Sequence, residues 1–294
     1  MKHVHCEGAP RDLGQDQGRQ LRDEIRAAVG ADTPWSRLLA HRPDAATTTL
    51  HRDLRRYFPH QAEWLESMAR AAGVPQRSLL RALLADATPV APVALGFRGE
   101  AGVRIAIPVP PRAIVRTLRP EGRFASVEVS RPTATSPIAG VNEAGLVVAV
   151  VPRHLSPSRF CAPVWLFARD CLDRFENVEP ALEWCLSRPA AVGGALLLAD
   201  ASGALVGVDA SAPARRTLAA SGEWLALGAA AREPPALPKT EQLADAEEMD
   251  SALAATLASL APTPGVSLLV DPIGRRLRVS GDGWVAFEAE SVSA

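Results

Sequence analysis

Asparagine is nearly missing from these 294 residues: only Asn142 and Asn177 occur. Lysine is as scarce, with Lys2 and Lys239, so basic charge resides almost wholly in arginine. The arginine and alanine bias fits a GC-rich genome and a bacterial source. The asparagine shortage restricts chemistry, because a side-chain amide is a frequent oxyanion donor. Cysteine numbers four, too few for a disulfide framework at this length, and no pair has the C-x-x-C spacing of a structural zinc site. Cys171 and Cys185 fall in helical patterns, where cysteine is usually a small buried hydrophobe. His3, His5 and Cys6 could hold a metal ion together with a free amine, but such a cluster is more often incidental. Neither a metal nor a cofactor is expected.

Long apolar runs are missing as well. Leu146 to Val151 and Ala195 to Ala199 are strand-length, far short of the ~20 residues of a bilayer-spanning helix. Met1 to Cys6 has no apolar core and is not a secretory signal. A net charge of -1 supplies no bulk field for nucleic acid or an anionic membrane. These absences point to a soluble cytoplasmic protein. Beyond them the composition is globular: 47% hydrophobic and 22% charged, enough to bury a full core.

Periodicity divides the chain into blocks. Leu13, Gln17, Leu21, Ile25 and Val29 recur every four residues, which predicts a helix over 10–29 with Pro10 in its first turn. Helices are also expected over 60–72, stopped by Gly73, and over 76–84. Period-two runs follow at 94–98, 103–107, 113–118, 124–130, 138–141 and 146–151. Asn142-Glu143-Ala144-Gly145 has the composition of a turn between the last two. Two helices, 163–175 and 178–186, precede strands at 195–199, 205–209, 215–219 and 224–227. A helix over 241–260 and strands at 266–270, 275–279 and 284–288 complete the chain. Strands in antiparallel-style runs, with helices inserted in blocks, argue for a layered α+β fold and against a doubly wound parallel sheet. A single domain over 1–294 is expected, with a helical segment over 1–88 and the sheets over 89–294.

Catalytic signatures are few. There is no Walker loop, no dinucleotide glycine fingerprint, no H-E-x-x-H and no G-x-S-x-G. Glu247, Glu248 and Asp250 read as a solvated helix face, and Asp200-Ala201-Ser202-Gly203 as a hairpin turn.

Five stretches in order nevertheless resemble one family. They are Gly8-Ala9-Pro10-Arg11-Asp12-Leu13-Gly14 with Gly18 and Ile25; Ala71-Ala72-Gly73-Val74 with the helix after it; Gly140-Val141-Asn142-Glu143-Ala144-Gly145-Leu146; Pro163 to Asp209; and Val270-Asp271-Pro272 with Arg275-Arg276-Leu277. Together they resemble the penicillin acyltransferase-like proteins, peptidase family C45, among the N-terminal-nucleophile (Ntn) hydrolases. The resemblance implies an αββα sandwich of two antiparallel sheets with outer helices. It also implies a chemistry in active members, which act as linear amide C–N hydrolases or acyltransferases. Self-cleavage exposes a cysteine at a strand start, its own α-amino group serves as base, and asparagine and backbone N–H groups hold the oxyanion.

The sequence departs from that pattern at every chemical position. The slot for the nucleophile reads Val90-Ala91-Pro92-Val93. The next strand, which in the family ends in an Arg-Asn-x-Asp type motif, reads Pro108-Val109-Pro110-Pro111. The later oxyanion asparagine falls near Leu227 to Ala230, which reads Leu-Gly-Ala-Ala. Asn142, Glu143 and Gly145 belong to the structural turn. No catalytic residue is therefore assigned, and self-cleavage is not expected. Three readings follow. The first is a pseudoenzyme that binds a small amide or acyl ligand, or assembles with itself or an active relative. The second is an active amide hydrolase or N-acyltransferase using residues not recognisable here. The third is an α+β protein of another family.

Overall fold

The computed structural model describes residues 1–30, 45–85, 93–100, 102–152, 163–188, 194–209, 215–228, 246–260, 266–279 and 284–286. Apolar alternation builds two sheets from them. The larger has eight strands, in the spatial order β1 (Lys2–Gly8), β4 (Ile114–Pro120), β5 (Ser126–Ser130), β6 (Pro137–Asn142), β7 (Val147–Pro152), β8 (Gly194–Ala199), β9 (Leu205–Asp209) and β10 (Arg216–Ala219). The smaller runs β11 (Trp224–Gly228), β2 (Val93–Gly99), β3 (Gly102–Val109), β12 (Val266–Asp271), β13 (Arg276–Val279) and β14 (Trp284–Ala286). Every pairing is antiparallel except β1 with β4.

The near-continuous apolar runs have a simple cause: their strands are covered on both faces. In β7, Val147, Ala149 and Val151 face the smaller sheet, while Val148 and Val150 face helices. In β8, Ala195, Leu197 and Ala199 take the inner side, and Leu196 and Leu198 the outer. The outer core of the larger sheet is shared with α1 (Pro10–Gln20), α2 (Arg22–Ala28), α3 (Ala45–Tyr57), α4 (Pro59–Ala72), α5 (Gln76–Ala85), α6 (Val164–Arg174) and α7 (Val178–Ser187). A third core joins the outer face of the smaller sheet to α8 (Ala246–Leu260), through Met249, Leu253 and Leu257. Three apolar layers between four layers of backbone make the αββα sandwich. Among the described residues, no helix is long and apolar enough to cross a membrane.

Three local expectations need correction. The 10–29 pattern is two helices, because Leu21 leaves helical geometry at φ -115, ψ 23. The segment before residue 88 is not helical throughout: Lys2–Gly8 is a strand, with Val4 and Cys6 buried and His3, His5 and Glu7 exposed. Helix α3, which buries Leu50 and Leu54, was not anticipated. Residues 241–245 of the expected last helix, and 287–288 of the last strand, lie outside the described residues.

Gly73 ends α4 at φ 70, the left-handed conformation that glycine adopts without a Cβ penalty. Asp200 organises the β8–β9 hairpin: Oδ1 accepts from the Ser202 N–H at 2.9 Å, and Oδ2 from the Val178 N–H at the start of α7 at 2.8 Å. Asn177 occupies the cap position of α7, but its side chain makes no capping bond there.

Candidate functional site

Of the slot and the motif that the resemblance singles out, Val93 and Pro108–Val109 sit on neighbouring strands. Val90, Ala91 and Pro92 lie outside the described residues; Val93 opens β2 and is 2% exposed. Strand β2 is flanked by β11, which sets Gly228 opposite Val93 and Leu227 opposite Ala94. On its other side, β3 pairs Ala106, two residues before Pro108, with Leu95, two residues after Val93. Beyond β3, Ser267 and Val266 of β12 pair with Pro108 and Val109. The described residues of these three segments thus lie on adjacent strands at one end of the smaller sheet. Their side chains are apolar: Val93 faces the α8 core, and Ala94, Ile107, Val109 and Leu227 fill the seam between the sheets. Pro111 stands in the turn beyond, exposed, beside Arg112 with a positive φ of 63.

Further along this seam the sheets pack too closely for an added Cβ. One at Gly96 would lie 2.6 Å from Leu205 Cδ1, and one at Gly207 would lie 3.0 Å from Leu227 Cδ2. Burial without polar partners suits packing and offers no charge stabilisation for a reaction.

Asn142 is engaged in structure. Its Nδ2 donates to the carbonyls of Leu172 (2.9 Å) and Phe175 (2.8 Å), satisfying the end of α6. Its Oδ1 accepts from the N–H groups of Ala144 (3.2 Å) and Leu146 (2.9 Å). Glu143 Oε1 accepts from the Ala125 N–H at 3.0 Å, and Gly145 turns the chain at φ 97.

Buried ionic chemistry lies elsewhere. On the smaller sheet, Arg104 of β3 meets Asp271 of β12 at 2.8 Å and Asp250 of α8 at 3.4 Å, all three buried, so Asp250 does not belong to the solvated helix face expected for it. A larger network lies between the larger sheet and its helices. Arg116 of β4 is fully buried and uses all five N–H donors. Nε donates to Glu128 Oε1 at 2.7 Å, and Nη2 donates to the same oxygen and to the Thr135 carbonyl. Nη1 donates to Gln17 Oε1 at 2.6 Å and to the Ala134 carbonyl at 2.9 Å. The guanidinium also lies 4.8 Å from the Trp64 ring centre, within reach of a cation–π contact. On its other side, Glu128 Oε2 accepts from Arg169 Nη1 at 2.5 Å, and Arg169 Nη2 donates to Asp173 at 2.5 Å. Burial pushes the Asp173 carboxyl up, against the pull of Arg169. Four charges of zero sum thus join β4, β5 and α6, with Gln17 and Trp64 adding α1 and α4. Arg116, Glu128 and Arg169 are sealed from solvent, Asp173 lies at the network's edge, and the array ties the layers together.

Sequence reasoning missed it, because Ser126-Val127-Glu128-Val129-Ser130 reads as a strand with a wet face. The signal was present, since both faces of this sheet are covered and a charge there requires partners.

His60, half-buried on α4, sits 2.8 Å through Nε2 from Asp170 Oδ1, which also accepts from Gln61 Nε2 at 3.0 Å. A carboxylate-oriented imidazole is the base half of a nucleophilic triad. The neighbouring Thr135 and Ser136 hydroxyls both donate to Gln61 Oε1 at 3.2 Å, so this pair activates neither. His3 and His5 have ring centres 4.4 Å apart on the exposed face of β1, whereas Cys6 points the opposite way into the core. Burial pushes the Cys6 thiol up to about 12. The three potential ligands at the N-terminus therefore do not converge.

The sequence matches no family model and no curated protein. Among solved structures, it is similar to an N-acylethanolamine-hydrolyzing acid amidase ortholog from Caenorhabditis elegans, at 10% identity and TM-score 0.44, over 62% of this chain and 93% of that one. Penicillin V acylase from Agrobacterium tumefaciens is similar at 14% identity and TM-score 0.41, over 66% and 86%. A mutant conjugated bile acid hydrolase from Clostridium perfringens is similar at 13% identity and TM-score 0.37, over 46% and 52%. The match spans about half the length of that hydrolase.

Proposed function

We propose that this chain is a catalytically degenerate relative of the penicillin acyltransferase-like Ntn hydrolases, kept for binding a small amide or acyl ligand or for partnering an active relative. The observation that supports the reading is that β11, β2 and β3 are neighbouring strands, and that the described positions to which the resemblance would give the chemistry carry Val93, Pro108, Val109, Leu227 and Gly228. An Ntn mechanism needs a nucleophilic side chain whose own α-amino group takes its proton. Proline at position 92 carries no nucleophilic atom, and its amine when freed would be secondary. Loss of a nucleophile or an oxyanion donor each removes orders of magnitude in rate, and a reaction lacking both falls toward the uncatalysed one.

The test is direct. Purified protein is expected to run as a single intact chain of 31.1 kDa on a denaturing gel. Incubation with an electrophilic acyl probe is expected to leave its mass unchanged, while calorimetry with N-acyl amides detects binding without product. A chain split near residue 92, or a covalent adduct on any residue at this sheet end, would overturn the reading in favour of an active amide hydrolase or acyltransferase.

A further inference from the structure

Among the described residues, a pair of cysteines combines reactive atoms with contact distance. Cys171 lies in the second half of α6, and Cys185 on the facing side of α7. Their sulfurs are 3.6 Å apart, and both side chains are fully buried. Trp184 packs edge-on against Phe167, with ring centres 5.2 Å apart, and Phe175 lies 6.0 Å from the same indole. A disulfide needs its sulfurs about 2.05 Å apart, so closure asks for an approach of roughly 1.5 Å between two adjoining helices.

We infer that Cys171 and Cys185 form a dithiol modification site, at which a low-molecular-weight disulfide such as oxidised glutathione staples α6 to α7. The thiolate of one cysteine attacks a glutathione sulfur; a protein–glutathione disulfide forms and one glutathione leaves as thiolate. The second cysteine, after losing its proton to solvent, attacks the protein sulfur of that mixed disulfide. The Cys171–Cys185 bond forms, and the second glutathione leaves. Two protein thiols are oxidised and one small disulfide is reduced to two thiols. The second step is intramolecular between sulfurs already in contact, so the mixed disulfide does not accumulate.

Access gates the first step. Contact with Cys185 and burial hold the Cys171 thiol well above its ordinary range, and protonated buried thiols are inert. Reaction therefore proceeds through openings of α7. That helix buries Val178, Ala181, Trp184 and Cys185, and its first turn is tied to Asp200 Oδ2. Loosening that tie should speed oxidation without touching either sulfur.

The sequence makes the product easy to identify. Trypsin cuts after Arg169 and Arg174, so Asp170–Arg174 leaves with Cys171 while Cys185 stays in the peptide that starts at Phe175. After incubation with oxidised glutathione, acid quench and alkylation in denaturant, those two peptides are expected linked, two hydrogens lighter than their sum. Conversion should be slow in buffer, faster in mild denaturant and faster in Asp200→Ala. The oxidised protein should melt several degrees above the reduced form, and substitution of another of the four cysteines, Cys161→Ala, should keep both the link and the melting shift. Cys171→Ala should lose the link. Free thiols at both positions at every denaturant concentration, a link to another cysteine, or a persistent glutathione adduct on either residue would overturn the inference.

Discussion

A carboxylate buried between two guanidiniums is stable only while all three keep their hydrogen bonds. Glu128 accepts from Arg116 on one oxygen and from Arg169 on the other, and none of the three side chains touches solvent. Its removal leaves two cations in a low-dielectric layer, with Asp173 as their remaining hydrogen-bonded carboxylate. Breaking a buried ion pair from one side typically costs about 3–5 kcal/mol. Glu128→Ala is therefore expected to lose that much stability in urea unfolding. Glu143→Ala, which gives up one bond to a backbone N–H near the surface, should lose no more than about 1.5 kcal/mol. Equal losses would mean that water already reaches the Arg116–Glu128–Arg169 array. Asn142 tells a related story about what a sequence reveals. Its place in a turn was legible from Asn-Glu-Ala-Gly, whereas its two bonds to the end of α6 join residues thirty or more positions apart and have no local signature.

Helix packing turns on two glycines already prominent in the opening motif. Gly14 and Gly18, one helical turn apart on α1, face α4. A Cβ at Gly14 would stand 2.3 Å from the Trp64 carbonyl oxygen and 2.8 Å from Ser67 Cβ. A Cβ at Gly18 would stand 2.6 Å from the Met68 carbonyl oxygen and 2.7 Å from Ala71 Cβ. In an exposed helix interior, glycine to alanine stabilises by about 0.5–1 kcal/mol. Here backbone blocks the methyl group, and overpacking of this kind costs about 1–3 kcal/mol. Gly14→Ala and Gly18→Ala should therefore both destabilise, reversing the usual sign, and thermal melts of the two variants measure it. A rise in melting temperature in either would show that α1 and α4 are less tightly apposed. The i, i+4 spacing was legible as part of a family-like helix, but its physical cause, a close crossing with residues fifty positions away, required the fold. The alternation in Lys2–Gly8 was equally legible in principle, since Val4 and Cys6 point one way and His3, His5 and Glu7 the other. A short run of charged and aromatic residues gives no hint that its partner is β4, over a hundred residues later.

At the scale of the molecule, blocks of strands and helices identified the layers because burial sets periodicity locally. Pairing between distant strands has no such local cause. Residues 215–219 and 224–227 look like the arms of one hairpin, yet the chain changes sheets between them: β10 closes the edge of the larger sheet, while β11 pairs with β2 in the smaller. The sheet end that carries the functional reading depends on this crossing, since without it Leu227 and Gly228 would not adjoin Val93. The same topology sets a gradient of stability. Strands β7 and β8 lie deep in the larger sheet, with helices on one side and the second sheet on the other, and Val147 to Val151 and Ala195 to Ala199 are at most 4% exposed. Edge strand β10 has one neighbour and exposes Arg216, Thr217 and Ala219. Amides that open only with the whole domain exchange slowest, whereas those at an edge fray locally. Hydrogen exchange followed by mass spectrometry should find the slowest amides in β7 and β8, with exchange in β10 faster by orders of magnitude. Comparable rates in these strands would mean that the larger sheet is not covered on both faces. The sealed Arg116–Glu128–Arg169 network would then lose its physical basis, because the same two-sided coverage excludes water from it.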